Sequence, residues 1–377
     1  MPRISRLTIV GLLASGPLGV IPAAAQAPMP QMIDESLAAY ASTKDSVRLP
    51  DGRIIHMVCM GKGTPVVILS AGAGDWGVIW SKVQPEVAKE TRVCTWDRAG
   101  FGLSDLPPKP QTVDNTTSDL EAALKADKLD GPYVAVGHSL GGLESLLLAD
   151  RQPEKVVGMV LVDSTTPARS AQLNQAGPAP TLKPFPDPPL VTLLHKCAAA
   201  LRAGTVRAGG PDPDGCLRGQ TLPPEYPPEL RAALDRHPEN LPPETLASTM
   251  DFLAASASPQ LLLQDPRIAV KPDRNYGHMP LIVLTADDIP SFPGQSDADL
   301  AKLKAQIRRD HDELAALSTR GANHIVEGSS HYIHRIKPQI VIDSINEVVD
   351  EARADMAKSQ KPARPRRGQG HDFPTSP

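Results

Sequence analysis

One serine in the sequence lies in a setting that favours nucleophilic chemistry. Residues 137–142 read GHSLGG, which places Ser139 at the centre of a G-x-S-x-G pattern between an apolar run and a segment with helical spacing. A serine in a sharp strand-to-helix turn exposes its hydroxyl at the carboxyl end of the strand. The pattern predicts that Ser139 attacks an acyl carbon and that the backbone amide of Leu140 stabilises the developing oxyanion. An ordinary glycine-rich turn is the alternative interpretation.

A small-residue segment upstream is the candidate for the other half of an oxyanion site. Residues 70–74 read SAGAG and follow an apolar run at 66–69. Small side chains allow a backbone amide to approach a substrate carbonyl closely. The amide of Ala73 is the first candidate for the second donor and that of Gly72 is the next, with a plain turn as the alternative.

A third motif follows a strand pattern at residues 92–96. Residues 96–105 read WDRAGFGLSD. This run and GHSLGG together resemble the lipase- and esterase-like members of the alpha/beta hydrolase superfamily, over residues 45–165 and 279–356. The resemblance implies a structural role for Asp97 and Arg98. It also implies a Ser–His–Asp triad, with the acid and then the base following the serine along the chain.

The resemblance places the general base after the last strand. Residues 328–331 read GSSH, and a small-residue run before the histidine is typical of the family, so His331 is the expected base. His324, within the strand pattern, and His334, in the next turn, are competitors. The family pattern places the acid just beyond residues 281–284.

Three aspartates are candidates for the triad acid. Asp288 is favoured by its spacing, although Thr285 replaces the usual glycine of the family turn. Asp287 is its neighbour. Asp163, at the end of the preceding strand, is a known alternative location in the fold, and a loop-capping carboxylate is the interpretation preferred for it here.

The order of predicted elements supports an α/β fold. Strand patterns at 66–69, 92–96, 133–136, 156–162, 280–285 and 324–327 alternate with helical ones, which indicates a parallel sheet covered on both faces. A hairpin is predicted over 46–60, and one helix over 77–90. With the resemblance, the expected fold is an α/β-hydrolase fold with a mostly parallel eight-stranded sheet and a helical, Pro-rich cap insertion at 164–278. Trp76 and Trp80 are candidates for lining the pocket, with a core position as the alternative.

The four cysteines allow three disulfide pairings. In the fold that the resemblance implies, the strand of Cys59 lies beside that of Cys94, so this pair is feasible. Cys197 and Cys216 both lie in the insertion and would close a loop within it. Buried free thiols are the alternative. No spacing of cysteines or histidines suggests a metal site.

The two ends of the chain are predicted to lie outside the fold. Arg3 and Arg6 precede an apolar stretch at 7–20 and the small residues AAAQA at 23–27, the layout of a cleaved signal peptide over 1–25. A retained membrane anchor is the alternative. The core is then 26–163 with 279–356, and the basic, Pro-rich segment 357–377 is predicted to be a disordered tail. The expected location is periplasmic or secreted.

Composition narrows the class of partner. The formal net charge of −4 disfavours nucleic acid as a partner, and no later apolar run is long enough to span a membrane.

The expected function is hydrolysis of a small apolar acyl ester, without a cofactor; the oligomeric state is open. An aminopeptidase, using acids such as Glu225, Glu229 or Glu239, a C–C bond hydrolase and a catalytically silent ligand-binding protein are the alternatives. An epoxide hydrolase or haloalkane dehalogenase would carry aspartate in place of Ser139.

Overall fold

The computed structural model describes most of the predicted core and parts of the insertion. The described residues are 34–108, 112–166, 189–207, 210–216, 226–234, 243–244, 246–247, 250–251, 254, 274–289 and 296–359. The predicted signal peptide, nearly all of the predicted tail and most of the predicted cap lie outside these residues. Their boundaries therefore stay predictions.

Nine strands lie in the described residues. They are β1 Val47–Arg48, β2 Ile54–Ile55, β3 Met57–Met60, β4 Val66–Ser70, β5 Val93–Trp96, β6 Tyr133–His138, β7 Val156–Val162, β8 Leu281–Ala286 and β9 Gly321–Val326. Strands β3 to β9 form one sheet in the order β3-β5-β4-β6-β7-β8-β9, in which β3 is antiparallel to β5 and the other pairings are parallel. Strands β1 and β2 pair with each other in a separate ladder.

Eight α-helices and two 3-10 helices have bounds within the same ranges, and helical positions also occur between residues 243 and 254. The α-helices are α1 Gln84–Val87, α2 Val113–Ala126, α3 Leu140–Arg151, α4 Pro189–Arg202, α5 Pro228–Leu234, α6 Asp297–Ala315, α7 Ile333–Ile336 and α8 Pro338–Ser359. The 3-10 helices are Glu35–Ala41 and Gly77–Trp80. Within the described part of the chain, no helix combines the length and apolar character needed to cross a bilayer.

The inner strands of the sheet, β4 to β8, are buried on both faces, which explains their apolar sequences. Along β6, Tyr133 and Ala135 pack into a cluster with α2, α3 and α6, whereas Val134 and Val136 pack into a second cluster with α8. Alternate side chains of a strand point to opposite faces, so both sets are removed from water. Each fully buried aliphatic side chain contributes about 1.5–3 kcal/mol of transfer free energy.

The α/β-hydrolase fold and the mostly parallel sheet are confirmed, but details differ. The prediction of eight strands in the main sheet is wrong for the described residues, where seven form it, because the hairpin around Gly52 forms its own ladder. The single helix predicted over 77–90 is two short pieces, and Pro85 lies in the first turn of the second. The 3-10 helix Glu35–Ala41 was not predicted.

The chain leaves the sheet between β7 and β8, although these strands are direct parallel neighbours. Part of this excursion returns to the core, because Leu230 of α5 is buried against Leu37 and Tyr40 of the first 3-10 helix. Where the chain re-enters the core, Arg274 forms an ion pair with Asp150 at the end of α3, and both side chains are 5% exposed. The described part of the excursion is thus attached to the sheet-bearing core at two places.

Both predicted disulfides are present. Cys59 on β3 lies directly opposite Cys94 on β5, and their sulfur atoms are 2.03 Å apart. Cys197 on α4 is bonded to Cys216, with a sulfur separation of 2.01 Å. The first disulfide joins the antiparallel edge strand to the sheet, and the second closes a loop within the excursion.

We predict that the first disulfide stabilises the whole core. Replacing Cys59 and Cys94 by serine should lower the free energy of unfolding by about 3–4 kcal/mol, because the disulfide closes a long loop in the unfolded chain. Denaturant unfolding followed by far-UV circular dichroism measures this change. The Cys197→Ser/Cys216→Ser variant is the control, and it should leave the core transition in place. A Cys59→Ser/Cys94→Ser variant as stable as the parent would contradict the prediction.

Candidate functional site

Ser139 occupies a left-handed backbone conformation between β6 and α3, with φ 51° and ψ −117°. Residues other than glycine rarely adopt positive φ, so this turn is held by its surroundings. The Ser139 amide donates to the Val162 carbonyl at 3.1 Å, which ties the turn to the end of β7. Ser139 is half-buried. The geometry is that of a nucleophile elbow, as the G-x-S-x-G pattern predicts.

Three glycines around the serine leave no room for a side chain. A Cβ on Gly137 would overlap the backbone of Gly141, and one on Gly141 would overlap the carbonyl of Ser70. A Cβ on Gly142 would overlap the side chain of Ser164. The glycines therefore allow α3 to start tightly against β4, β6 and the loop after β7.

His331 lies beside a carboxylate. Its Nδ1 donates to Oδ2 of Asp163 at 2.6 Å, and the two side chains are 44% and 12% exposed. With Nδ1 protonated, the neutral ring keeps a free lone pair on Nε2, the form that a general base requires. The Ser139 hydroxyl makes no hydrogen bond to another described residue. The hydrogen bond between a catalytic serine and its histidine often forms fully only when substrate binds.

The Asp163 backbone is held as firmly as its side chain. Asp163 has φ 41°, and its amide donates to the Leu284 carbonyl at 2.7 Å. Its Oδ1 accepts from the Ala286 amide at 2.8 Å, which leaves Oδ2 for His331. Each carboxylate oxygen thus has a defined partner, and the orientation of the imidazole follows from it.

The preference for Asp288 as the partner of His331 is not met by this geometry. The Asp288 side chain is exposed and its amide donates to the Ser329 carbonyl at 2.9 Å, while Asp287 pairs with Arg308 at 2.7 Å. The carboxylate that reaches His331 instead comes from the end of β7, the strand that lies between β6 and β8.

The other histidines near the site have different environments. His324 is exposed on β9, and His334 is buried, where loss of hydration lowers its pKa to about 3. His138, the residue before the serine, is also buried, and its Nε2 donates to the His331 carbonyl at 3.0 Å. Burial, followed by repulsion from His334 and His331, holds the pKa of His138 well below its usual range. A neutral His138 thus positions the His331 backbone, a role the sequence reading missed.

The loop at residues 70–74 is fixed by a buried ion pair. Arg98 donates to both carboxylate oxygens of Glu144 on α3, at 2.6 and 2.7 Å. The same guanidinium donates to the Gly72 carbonyl at 2.8 Å and to the Ala71 carbonyl at 2.5 Å. With these carbonyls held, the Ala73 amide donates to no acceptor among the described residues. In the sequence, Glu144 is recognisable only as an acid among the apolar residues in the first part of α3.

The two tryptophans proposed for the pocket differ. Trp80 is fully buried and packs against the ring of His334, with centroids 4.7 Å apart, so it belongs to the core. Trp76 is half-buried and meets Tyr226 edge-on, with centroids 6.3 Å apart. Trp76 therefore lies where the excursion between β7 and β8 contacts the core.

Solved structures share this fold at low sequence identity. An epoxide hydrolase from Bacillus megaterium superimposes with a TM-score of 0.54 at 15% identity, covering 81% of this chain and 99% of its own. An ancestral haloalkane dehalogenase superimposes with a TM-score of 0.55 at 18% identity. The match covers 82% of this chain and 99% of the dehalogenase. At these identities the likeness concerns the fold alone.

Curated relatives match shorter segments. YqjL from Bacillus subtilis is 33% identical over 103 residues, which are 27% of this chain and 41% of that protein. RutD from Caulobacter segnis, provisionally assigned as a carbamate hydrolase, is 34% identical over 103 residues. These residues are 27% of this chain and 38% of RutD. The chain thus spans less than half the length of these relatives.

The family match extends much further along the chain. The alpha/beta hydrolase family matches residues 66–343, from the start of β4 into α8, and so includes the Ser139 elbow, Asp163 and His331. This span is well over half of the sequence and agrees with the sheet order and the elbow geometry. The chain belongs to the alpha/beta hydrolase family.

Proposed function

We propose that this protein is an exported serine hydrolase that cleaves carboxylic esters of small molecules through an acyl-enzyme. One observation carries the proposal. Ser139 lies in the elbow at the end of β6, and the hydrogen-bonded pair of His331 and Asp163 lies at the end of the neighbouring strand. A nucleophile, a base and an orienting acid at adjacent strand ends are the parts that acyl transfer requires.

In the first half-reaction, Ser139 Oγ attacks the ester carbonyl carbon and its proton passes to Nε2 of His331. The imidazolium that forms is stabilised by the Asp163 carboxylate. The amides of Leu140 and Ala73 donate to the oxyanion of the tetrahedral intermediate. When the intermediate collapses, the bond to the leaving alcohol breaks, and the alkoxide takes the proton back from His331.

In the second half-reaction, water attacks the acyl-enzyme. His331 accepts one proton from the water and returns it to Ser139 Oγ as the acyl–oxygen bond breaks. The products are one alcohol and one carboxylic acid, and the enzyme ends in its starting protonation state. No step uses a group beyond the chain, the substrate and water.

The identity of the nucleophile separates this proposal from the chemistry of its structural neighbours. Epoxide hydrolases and haloalkane dehalogenases require a carboxylate nucleophile, whereas this chain carries Ser139 at that position. Of the three acids considered for an aminopeptidase, Glu229 is the one within the described residues, and it is exposed on α5. An exposed Glu229 gives no support to an amine-binding role, and the ester substrate stays part of the proposal.

Export is supported by the cysteines and by the amino terminus. All four cysteines are paired in disulfides, and such bonds persist in oxidising compartments. The layout of residues 1–25, with Arg3 and Arg6 before an apolar stretch, is typical of a secretory signal.

A buried carboxyl group with a raised pKa lies near the proposed site and also favours a functional interpretation. Asp75 follows the loop at 70–74, and its burial raises its pKa to about 6, although Arg98, His331 and Arg335 act to lower it. A carboxyl group whose charged form is destabilised reduces the stability of the fold, and such groups cluster at functional sites.

We predict that Ser139→Ala abolishes ester hydrolysis. With a p-nitrophenyl ester series of increasing acyl length, kcat should fall by about 10⁵ or more, because no other group can form the acyl-enzyme. A fluorophosphonate probe should label the parent chain at Ser139 and leave the variant unlabelled. The Ser145→Ala variant, six residues along in α3, is the control. Labelling without ester turnover would exclude esters and direct the search to amides, carbamates, thioesters or C–C bonds.

We predict that Asp163, rather than Asp288, supports His331. Asp163→Asn should lower kcat by about 10³–10⁴, because an amide facing Nδ1 favours the wrong imidazole tautomer. Asn keeps the carbonyl oxygen that accepts from Ala286, so the fold should survive, as thermal denaturation can check. Asp288→Asn is the matched control and should stay within about twofold of the parent. The reverse ranking of the two variants would overturn this assignment.

We predict that Asp75→Asn stabilises the protein at neutral and alkaline pH. An acid whose pKa is raised on folding is most favourable below its unfolded pKa, and this contribution is lost as the pH rises through about 6. The variant should therefore be more stable at pH 8 by about 1–3 kcal/mol, allowing for partial exposure, and the gap should close between about pH 6 and pH 4. Denaturant unfolding of both proteins at pH 8 and at about pH 4 measures the difference in their free energies of unfolding. A difference that is the same at both pH values would contradict the prediction.

A further inference from the structure

A chain of buried polar groups lies behind the proposed triad acid. His311, on α6, is 2% exposed, and its Nε2 donates to the Ser164 carbonyl at 2.9 Å. Its Nδ1 is hydrogen-bonded to Thr285 Oγ1 at 2.7 Å. His311 thereby joins the loop after β7 to the end of β8. The mechanism proposed above uses neither of these side chains.

The chain of hydrogen bonds continues to the surface. Thr285 Oγ1 lies 2.7 Å from both His311 Nδ1 and Asn323 Oδ1, and its single hydroxyl proton can be donated to one of them at a time. Asn323 Nδ2 donates to Asp312 Oδ1, also at 2.7 Å. Thr285 is fully buried, whereas Asp312 is exposed. The buried part of this series, from Ser164 through His311 to Thr285, restricts the motion of the groups that it joins.

The end of this series lies next to Asp163. Ser164 directly follows Asp163, whose φ of 41° costs about 1 kcal/mol or more for a residue other than glycine. That conformation persists only where neighbouring groups hold it. The Leu284 carbonyl holds the amide of Asp163, and His311 holds the carbonyl of Ser164. The unit that carries the triad acid is thus fixed on both sides.

We infer that His311 is a positioning residue that keeps Asp163 aligned with His331, with Thr285 as its support. The inference rests on the proposed hydrolase function, since alignment of Asp163 matters to the reaction through His331. It also explains Thr285, which replaces the glycine of the family turn. In this proposal the acid lies at the end of β7, and Thr285 on β8 bonds the histidine that supports it.

Two substitutions of His311 separate positioning from general packing. His311→Leu removes the donor to Ser164, and kcat on the best p-nitrophenyl ester should fall about 10- to 100-fold with KM within about twofold. In His311→Gln, the side-chain amide can donate to Ser164 in place of Nε2, so it should recover a large part of this loss. Gln84→Leu is the control, because Gln84 is fully buried and bonds Tyr40 and Val58 on another part of the core. It should destabilise the fold while kcat is retained.

A double-mutant cycle tests whether His311 acts through Asp163. In the Asp163→Asn background, His311→Leu should reduce the residual rate by less than about twofold, because its target is already lost. Additive losses, or an unchanged kcat in His311→Leu, would overturn the inference while leaving the hydrolase proposal intact. Failure of the parent chain to hydrolyse esters and to be labelled at Ser139 would instead reject both.

A spectroscopic measurement tests the alignment without activity. His331 Nδ1 and Asp163 Oδ2 are 2.6 Å apart. The proton between them should give a downfield proton NMR resonance, and Asp163→Asn should remove this resonance. His311→Leu should broaden or shift this resonance, His311→Gln should restore it, and Gln84→Leu should leave it unchanged. An identical resonance in the parent and in His311→Leu would contradict a positioning role.

Discussion

The site depends on two left-handed backbone turns at the ends of neighbouring parallel strands. Ser139 after β6 and Asp163 after β7 both have positive φ, and the Ser139 amide donates to the residue just before Asp163. These conformations cost free energy locally and persist because the surrounding fold determines them. The parallel sheet brings both turns to one edge, where the imidazole of His331 reaches Asp163.

Buried polar groups hold this arrangement from behind. The ion pair of Arg98 and Glu144 fixes the loop that carries the proposed oxyanion donor Ala73, and His311 fixes the loop that carries Asp163. Arg98 and Glu144 are fully hydrogen-bonded, which is the condition under which buried charge is tolerated. Removing one partner of the buried Arg98–Glu144 ion pair costs about 3–5 kcal/mol, so this pair couples the stability of the core to the geometry of the site.

The excursion between β7 and β8 contacts both the core and the surroundings of the proposed site. Its described pieces return to the core through α5 and Arg274, and Tyr226 meets Trp76 close to the loop at 70–74. One disulfide closes a loop within it, while the other joins β3 to β5. The substrate pocket is therefore proposed to lie between a rigid sheet edge and a segment attached to it at separate points.

Local sequence determined the elements and most of their chemistry. Apolar runs identified the buried strands, and the glycines around Ser139 identified the elbow, because close packing of α3 admits no side chain there. Tertiary structure decided which acid meets His331. Asp163 and Asp288 both follow strands, and only the folded chain shows that the Asp163 carboxylate bonds His331 while the Asp288 side chain is exposed. The role of His311 and the separation of β1 and β2 from the main sheet likewise depend on contacts between residues far apart in sequence, which no local pattern encodes.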